Sequence, residues 1–346
     1  MEPTLLTKPE LETPLLAVIK SLITTSHVID LGVTSVEIHA NRNIDECLRF
    51  FSPHSKCRYD EQVSFRLFFI DISLPDFPTH VIPMPDRTYA GGRFAKGYYV
   101  TDNFGSPVTL ASSGNDFFVF GKEFDRLVWS YFVKLCLTLW GNRNGHLHIK
   151  ASCFENDGKG VLIIGNGGTG KTVMLSQLCL KGGATFVSNT HCMVNRDDVV
   201  GVGTTMRVRR DFYFDTIIDR LKLPRSVNDG EFLLDPQKVF AKTSTKAKIT
   251  SILLVDYSRS GECLIEPVSN IDVIGYMEQF SMALNAYSLK NQMLEEAGSD
   301  PRAFARACAS SRRQLEALVA QSLCWFVSCD ITNQEHMTKL LAKIGG

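Results

Sequence analysis

Gly165-Asn166-Gly167-Gly168-Thr169-Gly170-Lys171-Thr172 is the stretch whose reading decides this chain. It fits the pattern G-x-x-x-x-G-K-[ST], and its flanks fit the same scheme. Gly160-Val161-Leu162-Ile163-Ile164 predicts a buried strand entering it. Val173-Met174-Leu175-Ser176-Gln177-Leu178-Cys179-Leu180 predicts a helix leaving it, stopped at Gly182-Gly183. Strand, glycine loop and helix N-terminus together make a phosphate cradle. The glycines let successive backbone N–H groups turn onto the phosphates. Lys171 reaches the β/γ-phosphates, and the Thr172 hydroxyl suits Mg²⁺. All eight residues, Gly165 to Thr172, are therefore expected to hold a nucleoside triphosphate or a similar polyphosphate.

Upstream of the loop lie short apolar or alternating runs that predict strands: Ser35 to His39, Phe65 to Ile70, Gly97 to Val100 and Asp116 to Phe120. Turn-formers separate them, at Ser73-Leu74-Pro75-Asp76 and Pro83-Met84-Pro85-Asp86. Helical periodicity follows from Asp125 to Trp140, ending at Gly141-Asn142. Residues 1–143 thus read as a β-rich N-terminal region with a closing helix. From residue 144 the pattern changes. Leu147 to Phe154 predicts a strand, Asn156-Asp157-Gly158-Lys159 a hairpin turn, and Val161 to Ile164 the returning strand. Beyond the loop helix, strands are expected at Thr185 to Val187, Cys192 to Val194, Ile249 to Val255 and Leu323 to Val327. A turn is expected at Asn195 to Asp198, and helices near 271–296, 302–321 and 333–344. The class is α/β, with a mixed sheet around the loop in residues 144–346.

The 346 residues suffice for two domains and a substantial core. Apolar content of 44% and charged content of 21% are ordinary for a globular chain. A net charge of +0 and pI ≈ 7.1 leave no electrostatic footprint for nucleic acid or an anionic membrane. The ten cysteines include no C-x-x-C pair, and Cys136, Cys179 and Cys192 lie in apolar segments, as buried thiols of a reducing compartment would. Met1-Glu2-Pro3-Thr4 lacks a basic n-region and no apolar run reaches about 18 residues. The expected location is cytoplasmic.

Phosphoryl transfer also requires groups that place the metal and the nucleophile, commonly a carboxylate on a neighbouring strand. Ile252-Leu253-Leu254-Val255-Asp256 offers the strand-then-aspartate form of ordinary P-loop ATPases. Asp256 equally suits the start of a turn at Tyr257 to Gly261. The alternative is the segment after the loop helix, Ser188-Asn189-Thr190.

There the chain resembles the HPr kinase/phosphorylase family and its related kinases, which share a phosphoenolpyruvate-carboxykinase-like P-loop fold. The resemblance rests on the order His148, strand, hairpin, strand, glycine loop, helix, then Gly183-Ala184-Thr185-Phe186-Val187-Ser188-Asn189-Thr190. A helix ending in Lys-Gly before a strand into a polar pair is distinctive of that family, as is the hairpin feeding the loop. The likeness covers about residues 145–268. It implies an HPr-kinase-like ATP-binding catalytic domain at 144–346, with ATP and Mg²⁺ as cofactors. In the family the polar pair is Asp-Asp, one carboxylate holding metal and the other serving as base. Here it is Asn189-Thr190. Either can coordinate magnesium through oxygen, but neither takes a proton near pH 7. Val173 replaces an often acidic residue, and the phosphorylase signature is absent. A bifunctional HPr kinase/phosphorylase is therefore not expected.

The resemblance places His148 at the acceptor, orienting or deprotonating it, while a satisfied structural histidine at a strand start is the alternative. His146 and His191 are rivals, although strand alternation turns His191 away from Thr190. Arg207 and Arg209, in Thr205 to Asp211, would share a strand face suited to a phosphate or acidic substrate. The alternative is a solvated face paired to Asp211 and Asp215. Phe212-Tyr213-Phe214 reads as core, and Lys238, Lys242, Lys246 and Lys248 as a polar connection. The expectation is a kinase that transfers phosphate from ATP to a hydroxyl on a small molecule, peptide or protein. Lys171 would stabilise the transferred charge, with Thr172 and Asn189 at the metal. Neither nucleic acid nor membrane is an expected partner, and a homo-oligomer is compatible with the sequence. The rivals are a degenerate nucleotide sensor and an ordinary ATPase using Asp256.

Overall fold

The apolar runs build two mixed α/β units, residues 1–136 with 291–304 and residues 137–290 with 305–346. The computed structural model describes residues 13–51, 63–75, 77–78, 88–89, 92–95, 98–101, 108–122, 132–227, 229–258, 261–281 and 300–345. The expected turn at Pro83 to Asp86, residues 125–131 of the expected helix and residues 282–296 of the next lie outside them.

The first unit opens with α1 (Thr13–Ser21), β1 (Thr25–Asp30), β2 (Ser35–Ala40), α2 (Asp45–Leu48) and a 3₁₀ turn at Arg49–Phe51. It continues with β3 (Phe65–Asp71), β4 (Thr88–Tyr89), β5 (Gly92–Ala95), β6 (Tyr98–Thr101), β7 (Val108–Ser113) and β8 (Asp116–Gly121). These strands form one sheet in the order β1-β2-β3-β8-β7-β6-β5-β4. The pairings β2 with β3 and β3 with β8 are parallel. Continuous apolar runs put β3 and β8 at the centre, with every residue but Arg66 buried. Phe68 stacks on Phe118 at 4.6 Å, and Ile19 of α1 joins that cluster. The sequence reading misses β1 because Thr25-Ser26-His27 is polar. A full-length antiparallel partnership, Thr25 opposite Ala40 to Asp30 opposite Ser35, specifies it instead.

Helix α3 (Lys134–Asn144) runs past the expected stop at Gly141. The His146 N–H donates to the Gly141 carbonyl at 2.8 Å, and a Cβ on Gly141 would lie 2.6 Å from the His146 carbonyl. Gly141 thus permits a close chain approach rather than a helix end, and Gly145, at φ +68°, takes the terminating role. The division between units falls within this helix, at 136/137.

The second unit comprises β9 (Leu147–Ile149), β10 (Ser152–Asn156), β11 (Lys159–Ile164), α4 (Lys171–Lys181), β12 (Thr185–Ser188), β13 (Cys192–Asn195) and β14 (Asp198–Gly201). Next come β15 (Met206–Arg209), α5 (Asp215–Leu221), β16 (Glu231–Leu234), α6 (Pro236–Val239) and β17 (Lys246–Tyr257). The chain closes with β18 (Leu264–Pro267), α7 (Asn270–Glu278), α8 (Pro301–Ala320), β19 (Leu323–Cys329) and α9 (Gln334–Gly345). The long strand β17 organises the sheet. Its first residues pair antiparallel with β14, which leads to β13 and β9. Its remainder runs parallel to β11 on one side and β19 on the other. β11 carries the hairpin to β10, turning at Asp157 (φ 51°) and Gly158 (φ 77°), the two positive angles of a type I′ turn. The alternation of β11, β17 and β19 buries Val161, Ile163, Leu253, Val255 and Val327 in one core with Met174, Leu175 and Leu178 of α4.

Two further expected elements differ. The single strand from Leu147 to Phe154 is divided at Lys150-Ala151, because β9 pairs with β13 while β10 pairs with β11 and β12. At the break the Lys150 N–H donates to the Phe280 carbonyl. The helix expected from Ile271 ends at Glu278, and Ser281 bridges to Ile149.

Candidate nucleotide-binding site

The phosphate loop occupies the switch from β11 to α4, where the first N–H groups of an 11-residue helix have no side-chain cap. Two glycines are demanded by their surroundings. A Cβ on Gly165 would lie 2.6 Å from Thr169 Oγ1 and 2.8 Å from the Val255 carbonyl. Gly170 caps α4 at φ 83°, and any side chain there would collide with Ile331. Thr169 closes the loop internally, its hydroxyl donating to the Asn166 carbonyl at 3.0 Å. Lys171 folds back over the loop and donates to the carbonyls of Gly165 and Asn166, both at 2.6 Å.

The loop, Thr172 included, lines a cavity of about 440 Å³ together with Lys150, Asn189, Thr190, Arg207 and Tyr257. Four basic side chains (Lys150, Lys171, Arg207, Arg209) outnumber two acidic ones (Asp211, Glu231) around it. The excess of positive charge suits a polyanion. Both acids are engaged. Glu231 is ion-paired to Arg207 at 3.5 Å and Arg209 at 2.8 Å, and one Asp211 oxygen accepts from the Tyr213 and Phe214 N–H groups.

Burial, reinforced by the Lys150 charge, lowers the Lys171 ammonium to about 8. Lys150 is lowered too, by burial and then by Arg207. A bound polyphosphate favours the charged amines, so binding takes up protons and weakens as pH rises through about 8. Affinity should then fall by up to about tenfold per pH unit above that point. Calorimetric titration at matched ionic strength on either side of pH 8 checks this, and an affinity indifferent to pH contradicts it.

Asn189 is 8% exposed, lines the cavity, and leaves its Oδ1 buried with no hydrogen-bond partner among the described residues. Its backbone carbonyl accepts from the Ser152 hydroxyl, which fixes the residue in place. An unmatched buried acceptor costs about 1–3 kcal/mol unless something meets it. An oxygen ligand of this kind, with Thr172 lining the same cavity, fits a hard divalent cation.

His148 lies elsewhere. It is 2% exposed and is not among the residues lining the cavity. Its Nδ1 shares a hydrogen bond with Thr138 Oγ1 at 2.9 Å and its Nε2 with His191 Nδ1 at 3.0 Å. With both nitrogens used it braces β9 against α3 and the turn before β13, leaving neither for an acceptor. His148→Ala is expected to cost about 1–3 kcal/mol in stability through the lost partners. Nucleotide affinity should stay unchanged. Denaturant unfolding beside a nucleotide titration separates the two effects. His146 sits at the end of α3, its Nδ1 on the Asn144 carbonyl.

The other expected residues separate cleanly. Arg207 and Arg209 do share a face of β15 at the cavity, but their partner is Glu231 on β16. Asp215 and Asp219 belong to Arg210. Asp256 is exposed at the end of β17, and it is the next residue, Tyr257, that lines the cavity. Phe214 is core, whereas Phe212 is 62% exposed and stacks on Tyr257 at 6.2 Å, giving the cavity an aromatic rim. Lys246 and Lys248 belong to β17 rather than to a loop. Lys150 and Glu231 are charged cavity residues the sequence reading passes over. For Lys150 the one signal is a lysine in the middle of an apolar run.

No protein-family model matches the chain, and comparison with curated proteins gives no match. Among the described residues, no helix is long and apolar enough to cross a membrane.

Proposed function

We propose that the second unit binds a magnesium nucleoside triphosphate, ATP, and transfers its terminal phosphoryl group to a hydroxyl acceptor, as a kinase related to the HPr kinases. The observation that carries this is the convergence of an uncapped helix N-terminus, four basic side chains and the unmatched Asn189 Oδ1 on one cavity. The loop N–H groups and Lys171 would hold the β/γ-phosphates. Thr172 and Asn189 would hold Mg²⁺, which supplies charge neutralisation on the transferred group. Lys150 and Arg207 add positive charge where an acceptor would approach, and the Phe212–Tyr257 rim offers a face for a base. A loose transition state depends on positioning and charge neutralisation more than on a strong base, so the Asn189-Thr190 pair is compatible with slow transfer.

A second reading is a nucleotide sensor without transfer. It is favoured by the engagement of both cavity carboxylates and by His148 being withdrawn. Incubation with γ-labelled ATP, Mg²⁺ and hydroxyl-bearing acceptors tests the choice. Labelled acceptor supports the kinase, while ATP bound but recovered intact supports the sensor. The ordinary ATPase reading has its own check. Asp256→Asn should leave magnesium-dependent ATP binding within about twofold, since loss of an exposed side chain away from such features changes little. Loss of the magnesium dependence in that variant would favour the ATPase.

A further inference from the structure

Behind the phosphate loop lies a second cluster of ligand-bearing side chains. β18 runs antiparallel to β19 with Leu264 opposite Ser328, and the next step of that register sets Cys263 against Cys329. Cross-strand neighbours of this kind hold their Cβ atoms about 4.5–5.5 Å apart. After Cys329 the chain reverses at Asp330-Ile331-Thr332. The Thr332 N–H and hydroxyl both donate to Asp330 Oδ1, at 2.9 and 2.7 Å. This turn starts α9 and returns His336, in its first turn, to the two cysteines. The sulfurs of Cys263 and Cys329 and a ring nitrogen of His336 all lie within 4.8 Å of one another.

A second observation points to a ligand. His336 is 4% exposed, and its Nδ1 is buried with no hydrogen-bond partner among the described residues. Cys329 is fully buried and Cys263 half-buried, so the cluster opens to solvent on one side only. Two thiols and an imidazole form a soft donor set, which selects zinc over magnesium or calcium. Tetrahedral zinc bonds of about 2.0–2.3 Å require ligand atoms about 3.3–3.8 Å apart. From a spacing of at most 4.8 Å, the ligand atoms need to close by no more than about 1–1.5 Å to reach that.

We propose that Cys263, Cys329 and His336 form a zinc site, with water in the fourth position on the Cys263 side. Binding replaces the two thiol protons by Zn–S bonds and releases them to solvent. The site ties the β18–β19 edge to the start of α9. Ile331, in the turn between Cys329 and His336, is the residue that abuts Gly170, so the metal braces the back wall of the phosphate loop. The proposal stands independently of what the cavity binds.

The test uses the full chain, reduced, stripped with a chelator and titrated with Co²⁺. One equivalent should bind, with a thiolate-to-cobalt charge-transfer band and the intense visible bands of a tetrahedral centre. Zn²⁺ should then abolish both. Cys263→Ser, at a half-buried position, should weaken binding by at least about 100-fold, since even loss of an outer-shell partner costs about 10- to 100-fold. His336→Asn should do the same, with folding checked by circular dichroism. Cys308→Ser, which lies on α8, should leave the spectrum unchanged. Absence of the charge-transfer band in the reduced parent, or Co²⁺ affinity undiminished in both Cys263→Ser and His336→Asn, overturns the site.

Discussion

On the proposed function, replacing Lys171 by alanine should lower the affinity for magnesium ATP by about 10- to 100-fold, because hydrogen bonds to a charged partner contribute about 1.5–3 kcal/mol. The side chain rests on the Gly165 and Asn166 carbonyls and faces the cavity, so a phosphate has only to draw the ammonium off its own loop. The fold should survive. Lys171 is not part of the core cluster that α4 joins, and the loop keeps its shape through the Thr169–Asn166 bond and the contact of Gly170 with Ile331. Unfolding curves that nearly coincide, beside a lost or weakened titration, are the expected pair of results. Equal ATP affinity in parent and variant would remove Lys171 from the site.

The second large effect concerns the polar pair. Asn189→Asp or Thr190→Asp adds a carboxylate to a cavity that already holds Lys150, Lys171 and Arg207, so the new charge is compensated where it appears. If the protein is a kinase slowed by its neutral pair, either change should preserve or raise phosphoryl transfer. The ceiling is the 10²–10⁴-fold that a general base typically contributes. A sensor would show no transfer from the parent and none from the variants. Initial rates with γ-labelled ATP measure the difference directly. Robust parental transfer that neither substitution alters would place the chemistry on other residues.

Local signals made the loop legible. A strand, a glycine-rich turn and a helix follow one another within residues 159–181, and Asn156 to Lys159 carries its own turn chemistry. The same holds for β3 and β8, whose aromatic runs identify central strands. What stayed hidden depends on partners distant in sequence. Lys150 reaches the cavity because its strand breaks there and bonds to Phe280. Glu231, rather than the nearby Asp211 or Asp215, answers Arg207 and Arg209, because β15 pairs with β16 beyond a helix. His148 resembles a catalytic histidine until Thr138 and His191, 10 and 43 residues away, occupy both its nitrogens. The Cys263–Cys329–His336 cluster has no sequence spacing that announces it, since its first two members meet only through the β18–β19 register. Periodicity reveals elements, whereas a site assembled across a sheet depends on pairing that periodicity does not carry.

Calorimetric titration of the parent with ATP, with and without Mg²⁺, and with AMP in parallel, tests the central claim most directly. A cavity built from an uncapped helix end, Lys171, Thr172 and the unmatched Asn189 Oδ1 should bind one equivalent of ATP. Removal of Mg²⁺ should weaken that binding, and AMP, lacking the β- and γ-phosphates, should compete poorly. Binding of AMP as tight as that of magnesium ATP, or no saturable ATP binding at all, would contradict the account.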